Sequence, residues 1–111
     1  MNVVHGIAWY APESWGGTEQ YVDGLAKSLA SLGVTSTVLA AEASPRWREY
    51  DHRGTRVVRH PRWSGGQSRE RLAEWFRTQQ IDVYHLHSWS PDAGMAEIEA
   101  ARDAGLATVL T

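Results

Sequence analysis

Short apolar runs alternate with segments of helical periodicity along the chain, and this alternation restricts the fold more than any other feature. Runs typical of β-strands cover residues 3–8, 34–40, 55–60, 81–86 and 107–110. Apolar residues at helical spacing separate most of these runs. Strand–helix–strand units place parallel strands in one sheet, with helices on both of its faces. The sequence therefore predicts an α/β fold with a mainly parallel sheet of about five strands flanked by helices.

The boundaries of the first helix carry their own signals. We place Thr18 at its N-cap and Glu19 in its first turn, where the helix dipole favours a negative charge, and Gly33 where a terminating glycine is expected. Residues 41–54 are polar, so we expect an irregular crossover there instead of a helix. Right-handed crossovers then give a doubly wound, Rossmann-like sheet, and residues 1–111 are expected to form one domain.

Composition excludes several classes of protein. The 111 residues are 42% hydrophobic, which is too apolar for a disordered chain. The absence of cysteine excludes a disulfide scaffold, a thiolate nucleophile and a Cys-ligated zinc site. No apolar run approaches the ~20 residues that span a bilayer, and the N-terminus does not resemble a signal peptide. We therefore expect a cytoplasmic protein.

Charge is concentrated in one segment. Residues 46–62 hold six arginines against Glu49 and Asp51, although the whole chain has a formal net charge of −2. Such a segment is most often a solvated loop and edge strand, where charges deter aberrant pairing. It leaves open a peripheral contact with the inner face of a membrane, or with phosphate. The acidic overall balance makes nucleic acid an unfavourable partner.

Candidate binding residues follow the predicted strands at one edge of the sheet. In an open α/β sheet, ligands bind outside the carboxyl ends of the strands. Four of the six tryptophans lie there, and flat aromatic faces suit the C–H faces of sugars or an apolar acceptor. The alternative is that these rings cover helix ends. The residues at this edge are Trp9, Tyr10, Trp15, Gly16, Gly17, Thr18, Arg62, Trp63, His87, Ser88 and Trp89.

The turn Gly16-Gly17-Thr18 immediately precedes the first helix. Glycines let a ligand approach the backbone, and free N–H groups in the first helical turn attract anions such as a diphosphate. A tight strand-to-helix turn is the alternative explanation. The pattern is neither Gly-x-Gly-x-x-Gly nor a Walker loop, so dinucleotide binding and P-loop chemistry are disfavoured.

Two histidines close the fourth predicted strand. Alternation places His85 and His87 on the same face. A zinc site needs more ligands than this pair, and no third ligand is evident, so we expect no metal. His85 is interpreted as a core or rim residue, and His87, nearer the strand end, is expected to meet solvent or a ligand.

Three motifs in order resemble the N-terminal half of family 4 retaining glycosyltransferases of the GT-B type. The first is Pro-x-x-x-Gly-Gly-x-Glu at residues 12–19. The second is Val-x-x-Leu-Ala-x-x-Leu-x-x-x-Gly at residues 22–33. The third is Ile-Asp-Val-Tyr-His-Leu-His at residues 81–87. The resemblance extends over nearly the whole chain.

This resemblance implies transfer of a sugar from a nucleotide-sugar to an acceptor, with retention at the anomeric carbon and no cofactor or catalytic metal. It implies that Gly16, Gly17 and Thr18 approach the donor diphosphate. His87 is the candidate catalytic side chain. The candidate acceptor-binding residues are Trp15, Glu19, Arg62, Ser88 and Trp89.

The resemblance also implies a second, donor-binding domain with a Glu-x7-Glu motif, which these 111 residues lack. A last strand ending at Thr111 would expose a sheet edge, so we expect a fragment of a longer enzyme, inactive in isolation. The alternative is a stand-alone carbohydrate-binding domain, or an interaction domain completed by a partner.

Overall fold

The computed structural model describes residues 1–12, 14–42, 46–63, 67–87 and 93–111. The elements in chain order are β1 (Asn2–Gly6), α1 (Gly17–Ala30), β2 (Thr35–Glu42), β3 (Arg48–His52), β4 (Thr55–Pro61), α2 (Gln67–Thr78), β5 (Val83–Leu86), α3 (Ala93–Asp103) and β6 (Ala107–Leu110). They form one sheet in the order β3-β4-β2-β1-β5-β6, in which only β3 is antiparallel to its neighbour. The predicted mainly parallel, Rossmann-like α/β fold is confirmed.

Helices cover both faces of the sheet. On one face, α2 and α3 pack over a core that includes Val4, Leu39, Leu72, Phe76 and Tyr84. On the other face, α1 covers a smaller core of Ile7, Tyr10, Ala11, Val22, Val38, Ala40 and Val57. The strands therefore bury side chains in both directions, which explains their nearly continuous apolar sequences.

The prediction of an irregular segment at 41–54 is wrong, because β3 pairs with β4 as a hairpin and brings the number of strands to six. Arg53 and Gly54 form the two-residue turn, with φ angles of 53° and 88°. Positive φ at both central positions is what a type I′ hairpin turn requires. β3 is polar because it lies at the sheet edge, so the strand lacks the apolar pattern that marks the others.

The start of α1 also differs from the prediction. The helix begins at Gly17 with Gly16 as its N-cap, so placing the cap at Thr18 is wrong. Gly33, with φ of 80°, follows the helix as predicted. α1 has 14 residues, and among the described residues no helix combines the length and apolarity needed to cross a membrane.

Candidate functional site

The carboxyl ends of β1, β4 and β5 bring the predicted site residues to one edge of the sheet. Residues 7–16 lead from β1 to α1, and the exposed Arg62 follows β4. His87 follows β5, and its backbone N–H donates to the Gly6 carbonyl oxygen at 2.9 Å. Ser88 and Trp89 lie outside the described residues.

The Gly16-Gly17 turn is held by the carboxylate of Glu19. Glu19 Oε2 accepts hydrogen bonds from the Gly16 backbone N–H at 2.8 Å and from Ser14 Oγ at 2.5 Å. Burial opposes ionisation of Glu19, but these hydrogen bonds outweigh it and lower the pKa of the carboxyl. The side chain is buried, so it braces the turn from inside the fold.

Gly17 faces open space. A Cβ atom there would have no protein atom within 4 Å, so packing within this chain does not require glycine. Gly17 and Thr18 are exposed. The N–H groups of a first helical turn have no partner inside the helix, and they lie at the positive end of its dipole. The turn can therefore present its backbone to an anion.

An aromatic cluster lies beside this turn. Trp15 contacts Tyr10 and His52 edge to face, with ring centroids 5.7 and 4.9 Å away. The guanidinium of Arg53 lies 5.9 Å from the Trp15 ring, and its Nε lies 3.3 Å from Asp23 of α1. The β3–β4 hairpin therefore completes the surroundings of Trp15, and the sequence alone did not indicate the contribution of His52 or Arg53.

Two buried polar atoms in this cluster lack partners among the described residues. They are the Tyr10 hydroxyl oxygen and His52 Nε2. Burial, followed by the nearby negative charge of Asp23, raises the pKa of Tyr10 to about 12. Tyr10 therefore keeps its proton at neutral pH and can donate a hydrogen bond.

A second aromatic cluster forms where β3 meets the end of β4. Trp47 stacks on Trp75 at 5.8 Å and also contacts Trp63 at 5.7 Å. Trp63 in turn stacks on His60 at 5.9 Å. The sequence placed Trp63 at this edge, but Trp47 and Trp75 join it only through the pairing of β3 and the packing of α2. Trp47 remains 41% exposed, so the cluster presents an aromatic face to solvent.

A buried polar network lies under the same edge. Glu97 of α3 accepts a hydrogen bond from the Tyr84 hydroxyl at 2.6 Å, and its other carboxylate oxygen lies 2.8 Å from His60 Nε2. All three side chains are almost fully buried. Burial and the charge of Glu97 raise the pKa of Tyr84 well above its usual value. The network therefore connects β4 and β5 to α3.

Three histidines meet on the face of the sheet that α1 partly covers. His5 of β1 is in register with His85 of β5, and His87 follows two residues later. Burial, reinforced by His85, lowers the pKa of His5 to about 4. Burial, reinforced by His85 and His5, lowers that of His87 to about 3. His87, which was expected to meet solvent or a ligand, is only 8% exposed, so its contact with solvent is small.

His5 is a further residue that the sequence analysis missed. Two inferences together would have found it. If the sheet is parallel and the first strand lies beside the fourth predicted strand, His5 comes close to His85. Strand order, however, follows only from the crossover rules and cannot be taken from periodicity.

The arginine-rich segment is largely engaged by the protein itself. Arg56 binds Glu49 and Gln79, whereas the buried Arg59 donates to the Ala41 carbonyl oxygen. Arg53 reaches Asp23. These contacts agree with an edge strand and its turn.

Solved structures with the same fold match nearly the whole chain. The C-terminal domain of a Kef protein from Shewanella denitrificans, in an AMP-bound form, matches with a TM-score of 0.52 and 18% identity, over 99% of this chain and 58% of that one. A Rex-family repressor, RSP, matches with a TM-score of 0.56 and 12% identity, over 99% of this chain and 52% of that one. This chain therefore spans little more than half of either structure, and at these identities the likeness shows the fold alone.

Comparison with sequence families is more specific. No curated protein matches the chain. The family described as "Glycosyl transferase 4-like domain" matches residues 16–111, a stretch that begins at the Gly-Gly turn and includes α1, the β3–β4 hairpin and both histidines of β5 and its end. Together with the Rossmann-like sheet, this match shows that the chain belongs to the glycosyltransferase 4-like domain family.

Proposed function

We propose that this chain is the acceptor-side, N-terminal part of a retaining GT-B glycosyltransferase. The enzyme would move a sugar from a nucleotide-sugar to an acceptor without a catalytic metal. A second domain would hold most of the nucleotide, so the 111 residues alone are expected to show no turnover. The observation that carries the proposal is the Gly16-Gly17 turn, which is braced by Glu19 and open to solvent at the carboxyl edge of the sheet.

The donor diphosphate would meet this turn. Gly17 has room for a ligand where a side chain would otherwise project, and the backbone N–H groups of the first helical turn can stabilise negative charge on the leaving group. Thr18 is exposed in the same turn. Glu19 would act as a positioning residue, because its carboxylate already binds Ser14 and the Gly16 N–H.

The acceptor would lie against the aromatic residues. Trp15 offers a partly exposed ring for the face of a sugar. The Tyr10 hydroxyl and His52 Nε2, which have no partner among the described residues, are buried beside this ring and would contribute to its position. Arg62 remains the candidate for a phosphate or hydroxyl on the acceptor. His87, Ser88 and Trp89 remain proposed neighbours of the reacting centre, with His87 as the proposed catalytic side chain.

We place the proposed enzyme in the cytoplasm. If its acceptor is a lipid, the enzyme would also contact the inner face of the membrane. We do not propose nucleic acid as a partner, because Arg53, Arg56 and Arg59 already contact groups of the protein.

A pair of glycine variants in α1 tests the donor site. Gly17 and Gly24 are both exposed helical glycines whose added Cβ would meet no atom within 4 Å. Gly17→Val would put a side chain where the diphosphate must approach, and Gly24→Val would not. In the full-length protein, with uridine, guanosine and adenosine diphosphate sugars as donors, we expect Gly17→Val to lower kcat/KM about 100-fold, comparable with the loss of one oxyanion-stabilising donor.

The controls separate folding from function. Both variants should keep the urea midpoint of the wild type, and Gly24→Val should keep its kcat/KM. The anomeric configuration of the product, read by NMR, tests retention. Wild-type activity in Gly17→Val would remove the donor assignment, and an inverted product would remove the proposed reaction class.

A further inference from the structure

His5, His85 and His87 converge from two neighbouring strands. One ring nitrogen of each lies within 4.8 Å of the others. The adjacent register of His5 and His85, together with the two-residue spacing to His87, puts all three rings on one face of the sheet. Their ring centroids lie 3.8 to 6.1 Å apart. Three imidazoles at this spacing can share one small ligand.

The rings are oriented by neighbouring groups. His5 Nε2 lies 3.0 Å from Ser36 Oγ, and His85 Nε2 contacts Thr111 Oγ1. Histidines that bind metals commonly use one nitrogen for the ion and the other for a hydrogen bond that fixes the ring. His5 fits this arrangement directly, because its Nδ1 points to His87 while its Nε2 is held by Ser36.

His87 presents its Nε2 to His5, with 2.9 Å between this atom and His5 Nδ1. These two nitrogens are therefore the ones that would bind an ion. Nδ1 of His87 is buried, has no hydrogen-bond partner among the described residues and would remain the outer nitrogen of the ring.

We infer that His5, His85 and His87 form a binding site for a divalent transition-metal cation of the Zn²⁺ class. Imidazole ligands suit Zn²⁺, Cu²⁺ and Ni²⁺, and three histidines leave a fourth position for solvent. At a Zn–N distance of about 2.0–2.1 Å, tetrahedral ligands lie about 3.3 Å apart. The 2.9 Å contact between His5 and His87 would therefore open by only a few tenths of an ångström. The site shares His87 with the proposed transfer reaction, but the observations that support it are the positions of the three histidines alone.

The experiment titrates Zn²⁺ into the purified chain after removal of any histidine tag. We expect one saturating equivalent by calorimetry, and with Co²⁺ the strong visible absorption of a four-coordinate ion. His85→Gln removes the least buried of the three ligands, and His52→Gln removes a partly buried histidine of β3 outside the cluster. His85→Gln should weaken Zn²⁺ binding about 100-fold, because the loss of even a hydrogen-bonded outer partner costs 10- to 100-fold.

His52→Gln should bind Zn²⁺ as the wild type does. Circular dichroism of each variant without metal checks that the fold is retained, so a loss of binding can be assigned to the ligand. Equal weakening by both substitutions, no saturable binding, or a Co²⁺ spectrum of six-coordinate ion would overturn the inference. Failure of the donor-site test on Gly17 would leave the inference unaffected.

Discussion

Gly6, the last residue of β1, lies against the buried Tyr84–Glu97 pair. A single methyl group at Gly6 would disrupt both residues. A Cβ at this position would lie 2.7 Å from Tyr84 Cζ and 2.8 Å from Glu97 Oε1, with the Tyr84 hydroxyl closer still. Carbon and oxygen atoms do not approach so closely, and neither side chain has room to withdraw, because both are at least 98% buried. Gly6→Ala must therefore displace the hydrogen bond between them.

The magnitude follows from two contributions. Overpacking a well-packed core costs about 1–3 kcal/mol. Loss of a buried hydrogen bond to a carboxylate adds about 1.5–3 kcal/mol. We expect Gly6→Ala to lower the free energy of unfolding by about 4 kcal/mol, a large part of the 5–15 kcal/mol typical of a domain. Tyr84→Phe alone, which removes only the hydroxyl, should cost about 2 kcal/mol.

The double variant tests the reasoning. Both substitutions break the same hydrogen bond, so Gly6→Ala with Tyr84→Phe should cost about 2 kcal/mol less than the sum of the single variants. Urea unfolding followed by tryptophan fluorescence and by circular dichroism gives these values. Strict additivity, or a Gly6→Ala variant within about 0.5 kcal/mol of the wild type, would refute the proposed clash.

Two further predictions concern the turn and the core. Because hydrogen bonds lower the pKa of Glu19 below 4.5, its carboxylate contributes stability that is complete above that pH and is lost as the pH falls through the folded-state value. Glu19→Gln should therefore be less stable than the wild type by about 1 kcal/mol at pH 7, and urea titrations should show this difference in stability shrinking as the pH falls below 4.5; an unchanged difference would contradict this role. Phe76, which is 1% exposed and packs edge to face on Tyr84 at 5.6 Å, should cost about 3–5 kcal/mol when changed to alanine, and a loss below about 1 kcal/mol in the same assay would show that the core is looser than described.

The sequence predicted those parts of the candidate site that depend on residues close together in the chain. The Gly16-Gly17 turn at the start of α1 and the edge positions of Trp15 and Arg62 follow from turn chemistry and from the rule for parallel sheets. The sequence analysis did not predict that the Glu19 side chain would hold the Gly16-Gly17 turn. Its carboxylate reaches back to the Gly16 N–H, whereas the sequence offered only a charge in the first helical turn.

The sequence by itself determined which segments become apolar strands and helices, because periodicity and terminating residues such as Gly33 act within a few residues. Only the tertiary structure decided that the polar segment 48–52 is a strand. Backbone pairing with β4 stabilises this strand, and its side chains show no apolar pattern that would predict it. Strand order likewise brought His5 to His85 and His87, and hairpin pairing brought Trp47 to Trp63. Such contacts depend on register between distant segments, which no local pattern encodes.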